Sequence, residues 1–265
     1  MAGQSQEDFS AVPSVTGSDA VTVDGEVLRE AVARVTVAAA DEKSRPVLEG
    51  VCVDIEDGTA RLAAADGFQL VVTSMPVTGG MGEDNRLLIP ANALKDFAGT
   101  VHDDDSVTMA ATRNCAVFRN GDLTMTTQLI AGTYPDYERL IPTEPATRVS
   151  LDAAELQAAL RQVSLMAQGA NRVVRIETHQ SEGRLRIYSQ SDTDGDSEAS
   201  CNAVIEGDDN RIGLDIRYIT DIVNTLDGKL CLYVVTPSSA LRVGIESDPE
   251  YTGLIMPMFV QWQEG

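Results

Sequence analysis

VTVDGEVLREAVARVTVAA, residues 21–39, aligns without a gap on VSLDAAELQAALRQVSLMA, residues 149–167. Val21, Asp24, Leu28, Ala31, Val35 and Ala39 meet identical residues at Val149, Asp152, Leu156, Ala159, Val163 and Ala167. Further along, LLIPANALKDFAGTV (87–101) lies over IGLDIRYITDIVNTL (212–226), with similar apolar spacing and a shared acid at Asp96 and Asp221. An offset of ~125 residues is too long for a solenoid repeat, so the chain reads as two copies of one domain-sized unit.

Inside each unit the periodicity changes. Leu28, Ala31, Val32 and Val35 fall at i, i+3, i+4 and i+7, the stripe of a helix packed on one face, and Asp24 stands where an N-cap belongs. The counterpart stripe is Leu156, Ala159, Leu160 and Val163, with Asp152 and Glu155 spaced as a capping box. Second helices are predicted from Pro90, placed as a helix-starting proline, and from Asp215. Between helices, VCVDI, ARLAAA, LVVTSM, SVTMAA, AVFRN and LTMTTQL in the first unit read as strands, as do VVRIET, RLRIYS, CNAVIE, KLCLYVV and LRVGIE in the second. Turn signals at Asp57-Gly58, Asn120-Gly121, Glu182-Gly183 and Asp227-Gly228 bound them. The expected class is α+β, two similar domains each with two helices packed on antiparallel sheets. The boundary falls in PTEPAT (142–147), giving an N-terminal arm at 1–18 and domains at 19–145 and 146–265.

Hydrophobic residues make up 43% of the 265, which fits a globular chain. Against 20 basic residues stand 41 acidic ones, a net charge of -21 that argues against a general basic coat for nucleic acid. A ring with a modest basic lining and an acidic exterior remains compatible with it. The longest weakly interrupted apolar stretch, 31–40, contains Arg34 and is far short of the ~20 residues of a membrane span. MAGQSQEDFS at the start has neither a basic region nor an apolar core, so the expectation is a cytoplasmic protein with no membrane association.

Little here could build an enzyme. Cys52, Cys115, Cys201 and Cys231 are far apart, without a C-x-x-C pair, and read as reduced core thiols. His102 and His179 are the only histidines, and the motifs of nucleophilic, zinc and nucleotide chemistry do not occur. No catalysis, cofactor or metal is expected. GGMG (79–82) reads as a flexible hairpin loop. In SDTDGDSE, Asp192, Asp194 and Asp196 alternate as in a calcium loop, but Ser197 and Ala203 stand where glycine and a bidentate Glu are needed, leaving a solvated acidic turn. Arg29, Arg34, Lys95, Arg161 and Arg217 lie on the helices, and Lys43, Arg45 and Arg172 in the segments after the first helix of each unit. With the capping acids set aside, the helix bodies are balanced in charge, so these eight are the candidate DNA-facing residues.

SRPVLEGV (44–51), AADGFQLVV (64–72), YPDYERLIP (134–142), LDIRYITDIVNTL (214–226) and LIMPM (254–258) together resemble, in order and spacing, the β sliding clamp of bacterial DNA polymerase III. The likeness runs from Glu7 to Met258 and covers the middle and C-terminal domains of that family's three. It implies the DNA-clamp fold and a non-catalytic processivity factor that encircles double-stranded DNA, with two helices per domain facing the duplex. It implies a hydrophobic cleft between domains for short linear motifs of polymerase, clamp loader and repair proteins. By that resemblance the cleft is lined by Leu48, Ala65, Gly67, Phe68, Gln69, Leu70, Pro135, Arg139, Leu140, Leu254, Met256, Pro257 and Met258, and Leu165 and Met166 lie beside a subunit interface. With two domains per chain, the expected ring is a homo-oligomer of three chains head to tail. The alternative is a clamp-fold interaction module, or a truncated clamp, that binds such peptides without encircling DNA. Gln69 and Phe259 stand where the family favours basic residues, Asp215 where it favours Asn, and VQWQEG extends past its usual end.

Overall fold

The computed structural model describes residues 20–41, 45–80, 85–142, 144–165, 172–191 and 195–260. One motif, a strand running into a helix and followed by three strands, occurs four times. The first is β1 (Ala20–Asp24), α1 (Gly25–Thr36), β2 (Gly50–Glu56), β3 (Thr59–Ala65) and β4 (Gln69–Pro76), with a two-residue β5 (Thr78–Gly79). The second is β6 (Arg86–Pro90), α2 (Ala91–Ala98), β7 (Ser106–Ala111), β8 (Cys115–Asn120) and β9 (Leu123–Gln128). The third is β10 (Thr147–Asp152), α3 (Ala153–Ser164), β11 (Val173–His179), β12 (Arg184–Ser191) and β13 (Gly195–Gly207). The fourth is β14 (Arg211–Asp215), α4 (Ile216–Val223), β15 (Lys229–Val234), β16 (Leu241–Ile245) and β17 (Asp248–Ile255). The strands that launch the helices, and β17, escape the sequence reading because each merges into a neighbouring pattern.

An N-cap residue has an extended backbone, so the last residue of a strand can cap the helix that follows. Asp24 accepts from Glu26 N–H at 3.1 Å, Asp152 from Ala154 N–H at 3.0 Å and Asp215 from Arg217 N–H at 2.9 Å. Pro90 occupies the same place ahead of α2 without a side-chain bond, one position earlier than predicted. Nor does Glu155 close a capping box. Its carboxylate accepts from the Asn202 N–H (3.0 Å) and Nδ2 (3.2 Å), tying α3 to β13, while Asp152 is already in the ladder opposite Lys229.

All pairings are antiparallel. Twelve strands form one sheet in the order β14-β11-β12-β13-β10-β15-β16-β17-β4-β3-β2-β6, and five form another, β5-β1-β7-β8-β9. The larger sheet crosses from one domain to the other where β17 pairs with β4: Val72 with Thr252, Val71 with Gly253, Leu70 with Leu254, Gln69 with Ile255. Helices α1 and α2 pack on each other and α1 covers β3 and β4; α3 and α4 pack likewise, with α3 over β12 and β13. Both predicted stripes, Leu28 to Val35 and Leu156 to Val163, are buried, and Phe97 of α2 meets Phe118 of β8 with ring centroids 5.0 Å apart. Each domain is closed by a bond at the same point of the repeat, Ile130 N–H to Leu88 O (2.9 Å) and Met258 N–H to Gly213 O (2.8 Å). Gly213 has no side chain because a Cβ there would run into Val260.

Two sequence expectations change. GGMG is not simply a loop: Gly79 ends β5, paired with Val21 at φ +101°, and a Cβ would strike the Ala20 carbonyl; residues 81–84 lie outside the described residues. The acidic run is in part a strand, since β13 begins at Gly195 and pairs Asp196 with Gln190; residues 192–194 lie outside. Cys52, Cys201 and Cys231 are buried, Cys115 is half-buried, and none is in a disulfide. Burial, aided by the Glu155 charge, pushes the Cys201 thiol up to about 11, so it is protonated at neutral pH.

Gly207 makes the same kind of approach in the second domain, two residues further along the ladder, at φ +98° against the Ala146 carbonyl. Gly207→Ala combines a disfavoured backbone with a backbone clash and is expected to cost more than ~1 kcal/mol in urea unfolding. Gly121→Ala, at φ +55° with open space around it, is expected to cost less.

Candidate functional site

A cavity of about 480 Å³ opens where the two domains meet. Its walls come from the end of α1 (Val37, Ala39, Ala40), the 3-10 turn Pro46–Glu49, the β3–β4 connection (Asp66, Gly67, Phe68, Gln69) and α4 (Arg217, Tyr218, Asp221). The connection is tight for a local reason. Gly67 takes φ +99°, and the Asp66 carboxylate accepts from the N–H groups of Phe68 (2.7 Å) and Gln69 (2.9 Å), which turns the chain back into β4. Phe68 is thereby left outside at 58% exposure, its ring stacked on Tyr218 of α4 with centroids 6.0 Å apart. Its carbonyl accepts the Met256 N–H at 2.8 Å, holding the segment after β17 against the mouth.

Beneath lies a small apolar cluster separate from the main core: Leu48, Cys52, Ala63, Leu70, Val72, Leu88, Tyr134, Tyr137 and Leu254. Leu70 and Leu254, expected as lining, are buried in it as a cross-strand pair. Leu48 is buried and touches both cluster and cavity, and Ala65 is half-buried at its edge. Gln69 belongs to the interior as well. Its Nε2 donates to Val37 O (3.0 Å) and Asp66 Oδ2 (3.3 Å), so it fastens α1 to the β4 entry rather than offering a surface group. On the segment between domains, Tyr134 and Tyr137 turn inward, edge to face at 6.3 Å, while Pro135, Arg139 and Leu140 stay exposed. Arg139 is held by Asp136 at 2.8 Å. The remaining expected residues do not line this cavity: Leu140 is 62% exposed, Met256 50%, Met258 41%, and Pro257 is half-buried, with Met256 adjoining the mouth through its bond to Phe68.

The basic residues separate into different environments. Arg45 and Arg217 line the cavity, and Arg217 both pairs with Asp215 (2.8 Å) and lies over the Tyr218 ring. Arg34 crosses between domains, pairing with Asp248 of β17 (3.3 Å) and facing the Tyr251 ring. Arg29 is paired with Asp103. Lys95 and Arg161 are exposed on α2 and α3, Arg172 is exposed ahead of β11, and Lys43 lies outside the described residues. Leu165, the C-cap of α3, is 67% exposed; Met166 lies outside the described residues. Among the described residues no His, Cys, Asp and Glu side chains cluster for a metal, and no helix is long and apolar enough to cross a membrane.

Two family profiles, described as "DNA polymerase III beta subunit, central domain" and "C-terminal domain", match residues 22–136 and 138–259. The chain belongs to that family. It is 29% identical to the beta sliding clamp of Streptomyces coelicolor over 265 residues, covering 95% of this chain and 69% of that protein. It is 27% identical to the beta sliding clamp of Synechocystis over 238 residues, covering 84% of this chain and 61% of that protein. Among solved folds, the Bacillus subtilis sliding clamp gives a TM-score of 0.90 at 21% identity over 96% of this chain and 68% of that one. The Thermotoga maritima beta subunit gives 0.85 at 22% over 97% and 69%. The chain thus spans from 61% to about 70% of the length of such relatives.

Sequence reasoning missed Tyr218, Asp66 and Val37 as parts of the site, and assigned Arg45 and Arg217 elsewhere. Tyr218 offers a signal in hindsight, an aromatic on the polar flank of an otherwise aliphatic helix stripe.

For Asp215, burial acts to raise the pKa, but the bonds from the Arg217 guanidinium and backbone outweigh it and hold the carboxyl below its ordinary value. A depressed folded pKa contributes stability above the unfolded value of ~3.9 that is lost as pH falls through the folded one. Asp215→Asn is therefore expected to flatten the acid limb of a urea-midpoint versus pH curve while leaving α4 formed at neutral pH.

Proposed function

We propose that the chain is a clamp-fold docking module whose interdomain cleft receives short linear peptides of replication and repair proteins. The observation that carries this is Phe68, a large apolar side chain 58% exposed in the wall of a cavity over an apolar cluster, with the exposed Met256 bonded to its carbonyl. Methionine adapts to varied anchors, and a groove edged by such residues with a few fixed polar groups suits an apolar peptide. The kinship with proteins named beta sliding clamps supports the same use. Arg45 and Arg217 at the mouth give an acidic peptide flank something to meet.

A peptide carrying a Q-x-x-L-x-L/F motif is expected to bind with micromolar-scale affinity by fluorescence polarisation. Met256→Ala and Phe68→Ala are each expected to weaken it by ~1–3 kcal/mol as truncated anchors. Unchanged binding in both places the peptide elsewhere. Leu70→Ala acts differently: it opens a cavity under the floor and is expected to lower stability by ~2–5 kcal/mol.

A second reading, retention on double-stranded DNA within a closed ring, is favoured by the exposed Lys95 and Arg161, which have no ion-pair partner among the described residues. At a net charge of -21 it requires weak, salt-sensitive affinity for linear duplex and much stronger retention on closed circles. Tight, salt-resistant binding to a linear oligonucleotide contradicts it.

A further inference from the structure

The segments that close the two domains follow the same course. Ile130 N–H bonds Leu88 O beside β6, and Met258 N–H bonds Gly213 O beside β14. Leu88 and Gly213 hold the same place in the repeat, each two residues before the residue that caps the next helix, Pro90 or Asp215. Side-chain size is exchanged between the copies. Leu88 and Gly132 of the first domain become Gly213 and Val260 in the second, where Val260 fills the space a Cβ on Gly213 would need. In the first domain the chain then reaches Tyr134, four residues after Ile130, which is 7% exposed in the cluster with Cys52, Ala63 and Leu88. In the second, four residues after Met258 stands Trp262, within QWQEG (261–265), outside the described residues.

We infer that QWQEG docks on the outer face of β14, β11 and β12 of its own chain, with the Trp262 indole over Arg175 and Tyr188, as Tyr134 covers the outer face of β6, β2 and β3. The ladders set the site. Arg175 is the partner of Gly213 and of Tyr188, as Cys52 is of Leu88 and of Ala63. None of the three, Arg175, Tyr188 or Gly213, lines the interdomain cavity, so the inference stands whether or not the cleft binds peptides.

Three observations favour this segment as the occupant. The first is reach. Val260 is already seated on Gly213, two further residues of extended chain span ~7 Å, and neighbouring strands lie ~4.8 Å apart. The second is the chemistry of the face. Val174, Ile176, Leu185, Ile187, Ile212 and Leu214 are buried in the core, so the alternate residues Arg175, Arg186, Tyr188 and Arg211 point outward. Where the first domain sets Cys52 and Ala63 beneath a tyrosine, the second sets a guanidinium and a ring, and an indole face is the strongest aromatic partner for a guanidinium. The third is charge. In the first domain Asp54 has Arg86 and Arg61 as ladder partners, and Asp136, two residues after Tyr134, shares a cavity with all three. Glu177 has Arg211 and Arg186 in the same positions, and Glu264 stands two residues after Trp262. Each closing segment thus brings a carboxylate toward the same pair of arginine positions.

The test is fluorescence of the full chain, in which Trp262 is the single tryptophan. Its emission is expected to lie to the blue of the urea-unfolded chain, with a several-fold lower acrylamide quenching constant, and to stay there on dilution from micromolar to nanomolar protein. Arg175→Ala and Tyr188→Ala, singly and together, are expected to move emission and quenching toward the unfolded values with unchanged far-UV circular dichroism. Arg119→Ala, on β8 of the first domain, is expected to move neither. Wild-type emission equal to that of the unfolded chain overturns the inference. So does a blue-shifted emission that both face variants leave intact. A shift abolished by Phe68→Ala instead places the segment in the cleft, and one lost on dilution places it on a second copy; either result overturns the inference as well.

Discussion

Four residue pairs between β4 and β17 carry the continuity of this molecule, because through them one sheet of twelve strands passes from the first domain into the second. A backbone ladder fixes both distance and register, which side-chain contact between separate domains does not. Leu70 and Leu254 face each other within it and are buried to 3% and 4%, each contributing ~1.5–3 kcal/mol by leaving water. Arg34 and Asp248 bridge the same junction from the helical side.

The cleft is a consequence of that ladder. Because Gln69 and Ile255 are partners, the chain entering β4 and the chain leaving β17 emerge side by side, and Phe68 and Met256 are bonded through their backbones. Neither can be buried by its own domain, since each lies just beyond the end of its strand at the seam. Tyr218 comes from a third direction, α4, and supplies the stacked ring that keeps Phe68 upright. The main core runs through both domains, and a small apolar cluster under the seam stays apart from it.

Fourfold repetition of one motif also explains the polar chemistry. A strand that ends in an aspartate with extended backbone serves as ladder member and helix cap together, at Asp24, Asp152 and Asp215. Variation among the copies adapts each to its surroundings. Pro90 replaces the aspartate before α2, Glu155 gives up a capping role to hold Asn202, and Asp215 adds a bond to Arg217 that draws the latter toward the cleft.

What the sequence determined by itself was whatever repeats or alternates locally. The identities between 21–39 and 149–167 revealed the duplication, the i, i+3, i+4 stripes gave α1 and α3, and period-two runs gave the mid-domain strands, because a 3.6-residue helix and a two-residue pleat write themselves into neighbouring positions. The finer fourfold motif was hidden, since β1, β6, β10 and β14 merge directly into the helices they cap. Tertiary structure alone decided which residues are exposed at the seam. Leu70 and Phe68 are two residues apart and equally apolar, yet one is the floor and the other the rim, because only the pairing of β4 with a strand about 180 residues away sets which of them is covered. The separation of Arg34 and Arg45 into strut and cavity wall was decided the same way, since Asp248 and the Gly67 turn that they meet are distant in the chain, whereas Arg217 is held locally by Asp215 and Tyr218.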